Sequence, residues 1–134
     1  MKRFRADLHI HSVLSPCGSL DMSPVNIVNT AKDRKLDIIA ITDHNSTQNS
    51  KALQDLRSSD IAFLYGMELQ TSSETHMLAI FDSFEKASKF NDFIYKRLPD
   101  IKNKPEFFGD QVVVDKDENI FVWNVEDRNV IHKI

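Results

Sequence analysis

Residues 4–11 alternate cleanly, with Ala6, Leu8 and Ile10 on one side and Arg5, Asp7, His9 and His11 on the other, which predicts a strand. Residues 12–21 are rich in Ser, Pro and Gly and predict a loop. Ser23-Pro24 has the form of an N-cap followed by proline at the first helical position. Val25, Ile27, Val28, Ala31 and Leu36 continue it as a helical stripe ending near Lys35. Residues 36–42 (LDIIAIT) form an unbroken apolar run, the mark of a strand buried on both faces. A second helix is expected over residues 47–57, with Ala52, Leu53 and Leu56 inward. Residues 61–67 read as a third strand closed by Glu68, and residues 76–81 (HMLAIF) as a fourth. Asp82 and Glu85 have capping-box spacing and open a third helix to about Leu98, its buried stripe Phe84, Ala87, Phe90, Phe93, Ile94 and Leu98. After a polar break at 99–105, Val112-Val113-Val114 and Ile120-Phe121-Val122-Trp123 predict a hairpin turning at 115–119.

Strand–helix–strand–helix–strand order predicts an α/β chain with parallel strands. The step from the third strand to the fourth breaks that order. Too few residues separate Glu68 from His76 for a parallel crossover, which needs a dozen or more. These two strands are therefore expected to be antiparallel neighbours, so that His76 and Glu68 meet at one end of the sheet.

Composition narrows the class. The 134 residues suffice for one core and are too few for two ordinary domains, so residues 1–134 read as a single domain. Apolar residues make up 41% and charged residues 28%, ordinary for a soluble globular chain. A net charge of −3 points to neither a nucleic-acid nor a membrane surface. An acidic chain can still bind a phosphate ester where bound metal ions supply the positive charge locally. No stretch approaches the roughly 20 apolar residues of a membrane span. The single cysteine, Cys17, excludes an internal disulfide and fits a reducing compartment, so a cytoplasmic protein is expected.

Four of the five histidines fall at one predicted place, the C-terminal edge of the sheet. His9 and His11 are two apart on a strand, so both rings leave the same face. His44 follows the second strand, Glu68 the third, and the hairpin brings in His76. Taken singly, each has an ordinary reading as an exposed strand face, a turn, or a solvated strand end. Independent solvated residues have no reason to converge on one edge, and together they favour a metal site. Imidazole with carboxylate suits zinc, manganese or iron. Asp7 and Asp43 stand beside ligand histidines and are expected to hold a ring N–H as outer partners, with a proton-relay role also open for Asp43. Cys17 lies six residues past His11; it is either a free buried thiol or a further donor at this edge. Asp115-x-Asp117-x-Asn119 lacks the glycine and terminal glutamate of a calcium loop and reads as a polar turn. His132 reads as a surface residue, and Phe107-Phe108 as core.

These segments together resemble the PHP family (polymerase and histidinol phosphatase). The resemblance rests on Asp7-Leu8-His9-Ile10-His11-Ser12, Ile41-Thr42-Asp43-His44-Asn45, Gly66-Met67-Glu68-Leu69 and His76-Met77-Leu78. It implies a distorted (β/α)7 barrel with two or three divalent metal ions. Residues at the positions of His9, His11, His44, Glu68 and His76 would coordinate metal, the glutamate bridging. The family's first loop usually supplies an aspartate or histidine ligand, and Cys17 is the nearest candidate here. Family members run to roughly twice this length. Their later strands supply an Asp-x-His pair that has no counterpart after His76, and residues 125–134 end without a closing element. The chain therefore reads as a partial or truncated barrel, whose open sheet edges a homo-oligomer could cover.

The activity so implied is hydrolysis of a phosphate mono- or diester by a metal-activated hydroxide. The substrate would be a small phosphorylated molecule, a nucleotide or a nucleic-acid end. Two other readings stay open: a non-catalytic metal-binding PHP module, and a metal-dependent enzyme of the amidohydrolase-like or DNase kind.

Overall fold

A computed structural model describes residues 1–123 and Ile134. Its elements are β1 (Ala6–Ile10), α1 (Pro24–Asp33), β2 (Ile38–His44), α2 (Ser50–Leu56), β3 (Ala62–Gln70) and β4 (His76–Phe81), followed by α3 (Phe84–Tyr95), α4 (Pro105–Phe108), β5 (Val112–Val114) and β6 (Ile120–Trp123). This is a mixed α/β chain. The first four strands form one sheet in the order β1-β2-β3-β4, and β5 and β6 form a separate antiparallel pair. β1, β2 and β3 are parallel, and β4 is antiparallel to β3, as the short connection requires.

Ile39 and Ile41 of β2 are fully buried and meet Ile27, Val28 and Ala31 of α1, Leu53 of α2, and Ile61. α1 starts as its sequence demands: the Ser23 hydroxyl accepts from the Asn26 N–H, and Pro24 needs no amide partner. Two smaller apolar groups flank β5: Leu14 meets Val113 and Tyr95, and Val13 meets Val112 and Val114. The loop after β1 is thus packed against β5. Gly66 is required by a close approach: a Cβ there would lie 2.5 Å from the Ala79 carbonyl oxygen and 3.1 Å from the Thr42 methyl.

Several expectations need correction. β1 is shorter than residues 4–11, and of its apolar side Ile10 packs on the core while Leu8 stays 36% exposed, because β1 is an outer strand of the sheet. α2 begins at Ser50 rather than 47, since the preceding backbone is taken up by tertiary bonds such as Thr47 N–H to Asn91 Oδ1. β3 runs on to Gln70, so Glu68 lies inside the strand and does not close it. The cap of α3 is Ser83, whose hydroxyl accepts from the Lys86 N–H, while Asp82 pairs with the Lys86 ammonium. α3 ends at Tyr95, and it buries Ala87, Asn91, Ile94 and Tyr95. Phe93 is exposed beneath the Arg97 guanidinium, 3.6 Å from the ring centre, and Phe107 is also exposed. Neither is core. The 115–119 segment is a polar turn, Asp115 Oδ1 accepting the N–H groups of Asp117 and Asn119. The expectations for His132 and for residues 125–133 lie outside the described residues. Among the described residues, no helix is long and apolar enough to cross a membrane.

Candidate metal centre

Register explains why the candidate donors meet. In the parallel pairing His44 stands opposite Glu68, and β1 enters beside β2 with Ile10 opposite Ile41. In the antiparallel pairing Glu68 faces Leu78 and Gln70 faces His76, so His76 is the diagonal neighbour of Glu68 on the same face. The C-terminal ends of three strands and the start of a fourth therefore share one rim.

Glu68 is the focus of that rim. Its Oε2 lies 2.9 Å from His11 Nε2, 3.2 Å from His9 Nε2 and 3.6 Å from His44 Nδ1; its Oε1 lies 2.8 Å from His76 Nδ1. His9 Nε2 and His11 Nε2 are 3.1 Å apart. The His11 and His44 rings meet edge to face with centres 4.6 Å apart. On its far side, His11 Nδ1 lies 2.7 Å from Cys17 Sγ, which is 3.7 Å from His44 Nε2. All six predicted donor residues are thus drawn into one cluster. The cysteine residue is exposed, not the buried thiol considered above.

The donor set fits a metal ion. Ligand atoms about 2.0–2.1 Å from one ion lie about 3.0–3.4 Å apart, close to the spacing among His9, His11 and Glu68 Oε2. Buried His44 Nδ1 has no hydrogen-bond partner, which is costly for a ring nitrogen unless something else meets it. Among the described residues, two groups could hold an ion: His9, His11 and Glu68, and His11, Cys17 and His44.

Protonation follows the surroundings. Burial and the neighbouring His11 push the His44 pKa down from 6.5 to about 4, so the ring is neutral and its lone pair free at neutral pH. Burial pulls the Glu68 pKa up, but bonds from His76 and His9 outweigh it and the net shift is down. Burial pushes the Cys17 thiol up. Asp43 is also pushed up by burial, against hydrogen bonds from Ser12 and Ser15.

The two aspartates do not hold imidazoles. Asp43 Oδ1 accepts the Ser12 N–H and the Ser15 hydroxyl, each at 2.7 Å, and Oδ2 accepts the Ser12 hydroxyl at 2.6 Å. Those three bonds pin the loop after β1 to the end of β2. Asp7 Oδ1 accepts the His9 backbone N–H at 3.3 Å and, among the described residues, no imidazole. Asp43 instead holds the loop after β1, its oxygens taken by the Ser12 N–H and the Ser12 and Ser15 hydroxyls.

Three supporting residues carried no role in the sequence reading. Asn49 donates to the Ser12 hydroxyl and the Val112 carbonyl, and accepts from the Val114 N–H, joining the β5–β6 hairpin to the loop. Ser15 Oγ accepts the His44 N–H as it donates to Asp43. Asn45, at φ +46°, donates its N–H to the Glu68 carbonyl and accepts the Gln70 N–H through Oδ1. An asparagine directly after a buried strand is the one signal that pointed there, since it tolerates the left-handed region.

The cleft beside these residues, about 510 Å³ and open to solvent, is lined by Asp7, His9, Ile10, His11, Cys17, Gly18, Ser19 and Met22. No curated protein matches the chain. The family model for the PHP domain matches residues 7–120, from the aspartate of the first histidine motif to the start of β6. The chain belongs to the PHP domain family, which includes metal-dependent phosphoesterases.

Proposed function

We propose that this protein is a metal-dependent phosphoesterase in which His9, His11, His44, Glu68 and His76 hold divalent ions, with Cys17 beside them. One observation carries the reading: four imidazoles converge on a single carboxylate within 2.8–3.6 Å, in a chain of this family. The two oxygens of Glu68 face different histidines, an arrangement suited to bridging two ions. Ions bound there would supply Lewis acidity to a phosphate ester and lower the pKa of water toward neutrality.

The protein's own contribution is placement. Neutral His44 keeps a lone pair available, and Asp43 fixes the loop that carries Cys17. Among the described residues no lysine or arginine lines the cleft, so bound ions would supply the positive charge that draws a phosphate there. An open cleft of about 510 Å³ suits a small phosphorylated substrate, or a nucleotide or nucleic-acid end entering from solvent. We read the parallel β1–β3 sheet as part of a distorted (β/α)7 barrel. The exposed faces of β1 and β4, with Leu8, Met77 and Leu78 uncovered, support that reading and a covering second copy.

The test pairs metal analysis with turnover of p-nitrophenyl phosphate and nucleotides, for wild type, His9→Ala and Glu68→Gln. The expected result is at least one ion per chain and turnover that both substitutions abolish. Ions without turnover would favour the metal-holding module. Less than one ion per wild-type chain, with no change in His9→Ala, sinks the assignment.

A further inference from the structure

The sulfur of Cys17 is held, not merely present. Its loop is closed by Ser15 N–H to Ser12 carbonyl at 3.1 Å and Gly18 N–H to Ser15 carbonyl at 2.8 Å. Gly18 admits no side chain, because a Cβ would fall on the Ser12 carbonyl. Ser12 and Ser15 are both tied to buried Asp43.

We propose that Cys17 is a metal ligand that makes this centre select thiophilic ions, with its sulfur and His44 Nε2 forming a position next to that of His9, His11 and Glu68. The proposal rests on the metal-centre reading above and adds what it left open, namely which class of ion. Sulfur and nitrogen bound to one tetrahedral ion at about 2.3 and 2.0–2.1 Å lie about 3.6 Å apart, and Cys17 Sγ is 3.7 Å from His44 Nε2. His44 Nδ1 lies on the Glu68 side of the ring, 3.6 Å from Oε2, so the two ring nitrogens face the two positions. His11 joins the two positions: Nε2 faces Glu68 while Nδ1, 2.7 Å from the sulfur, is placed to donate to a thiolate. On binding, the thiol proton leaves to solvent and the sulfur–metal bond forms in its place. Thiolate prefers zinc, iron or cobalt over the harder manganese and magnesium.

Cobalt reports this directly. The metal-free chain is loaded with Co²⁺, and near-ultraviolet absorption is recorded for wild type, Cys17→Ser and Cys17→Asp, with Zn²⁺ and Mn²⁺ affinities measured by calorimetry. A sulfur-to-cobalt charge-transfer band is expected in wild type and in neither variant. Cys17→Ser should weaken Zn²⁺ at one position by at least about tenfold while changing Mn²⁺ less. Cys17→Asp, with an oxygen donor, should shift the preference toward Mn²⁺. Wild type that binds Co²⁺ without the band, or a Zn²⁺ affinity indifferent to Cys17→Ser, overturns the sulfur assignment and leaves the histidine–glutamate centre standing. Wild type that binds no Co²⁺ overturns both.

Discussion

Replacing Asp43 with alanine should loosen the centre without touching any metal donor. The carboxylate accepts three hydrogen bonds inside the protein, from the Ser12 N–H, the Ser12 hydroxyl and the Ser15 hydroxyl. Each orphaned buried donor costs about 1–3 kcal/mol, so the three together set a range of about 3–9 kcal/mol. Two terms reduce it: the carboxylate's own burial cost, several kcal/mol, is relieved, and the two hydroxyls can turn toward other acceptors. The net expectation is a loss on the order of 3 kcal/mol, a large share of the roughly 5–15 kcal/mol by which domains are stable. Asp43→Asn keeps one acceptor and should lose about half as much. Urea unfolding followed by far-ultraviolet circular dichroism, in excess chelator, measures the difference. Repeating it with Zn²⁺ should show a smaller metal-induced stabilisation in Asp43→Ala, because the anchored loop carries Cys17. An alanine variant within about 1 kcal/mol of wild type in chelator would refute the account of Asp43 as the clamp of this loop.

Other consequences are accessible to simple assays. In the metal-free chain, His44 titrates near 4 in the fold against an ordinary 6.5, so the unfolded state binds more protons between those values. Folding stability should be unaffected by this group above pH 6.5 and fall by about 3 kcal/mol as pH drops to 4. His44→Gln should flatten that part of the stability–pH curve; an unchanged slope would contradict the buried neutral ring. Gly18→Ala places a methyl against the Ser12 carbonyl, and should cost about 1–3 kcal/mol and weaken Zn²⁺ binding, both read from Zn²⁺-dependent melting. Glu68→Ala removes the anion that four imidazoles face, and calorimetry should show Zn²⁺ affinity falling more than tenfold, roughly, since even outer partners of a metal are worth 10–100-fold.

Much of this rim was legible because it depends on local periodicity. His9 and His11, two apart along the expected strand, had to share a face, and their rings do meet although His11 lies one residue past β1. The apolar run placed His44 just beyond a buried strand, whereas β2 takes it in as its last residue; the short step to His76 forced an antiparallel neighbour. Roles set by partners distant in sequence were not legible. Asp43 turned away from the histidines because Ser12 and Ser15, 31 and 28 residues earlier, offered closer donors. Phe93 and Phe107 followed apolar patterns yet are exposed, because a pattern names an apolar face without supplying the element that covers it.

The sequence by itself determined the order of the strands, the histidine pair and the antiparallel return, all consequences of side-chain period and chain length; the strand ends it placed only to within two or three residues. Only the tertiary structure decided that Glu68, from within β3, is the point on which His9, His11, His44 and His76 close, because parallel register sets which residue of one strand faces which of the next. It also decided that Cys17 touches His11, because a loop's path is set by Asp43, Ser12, Ser15 and Asn49 acting together, and no periodicity encodes that.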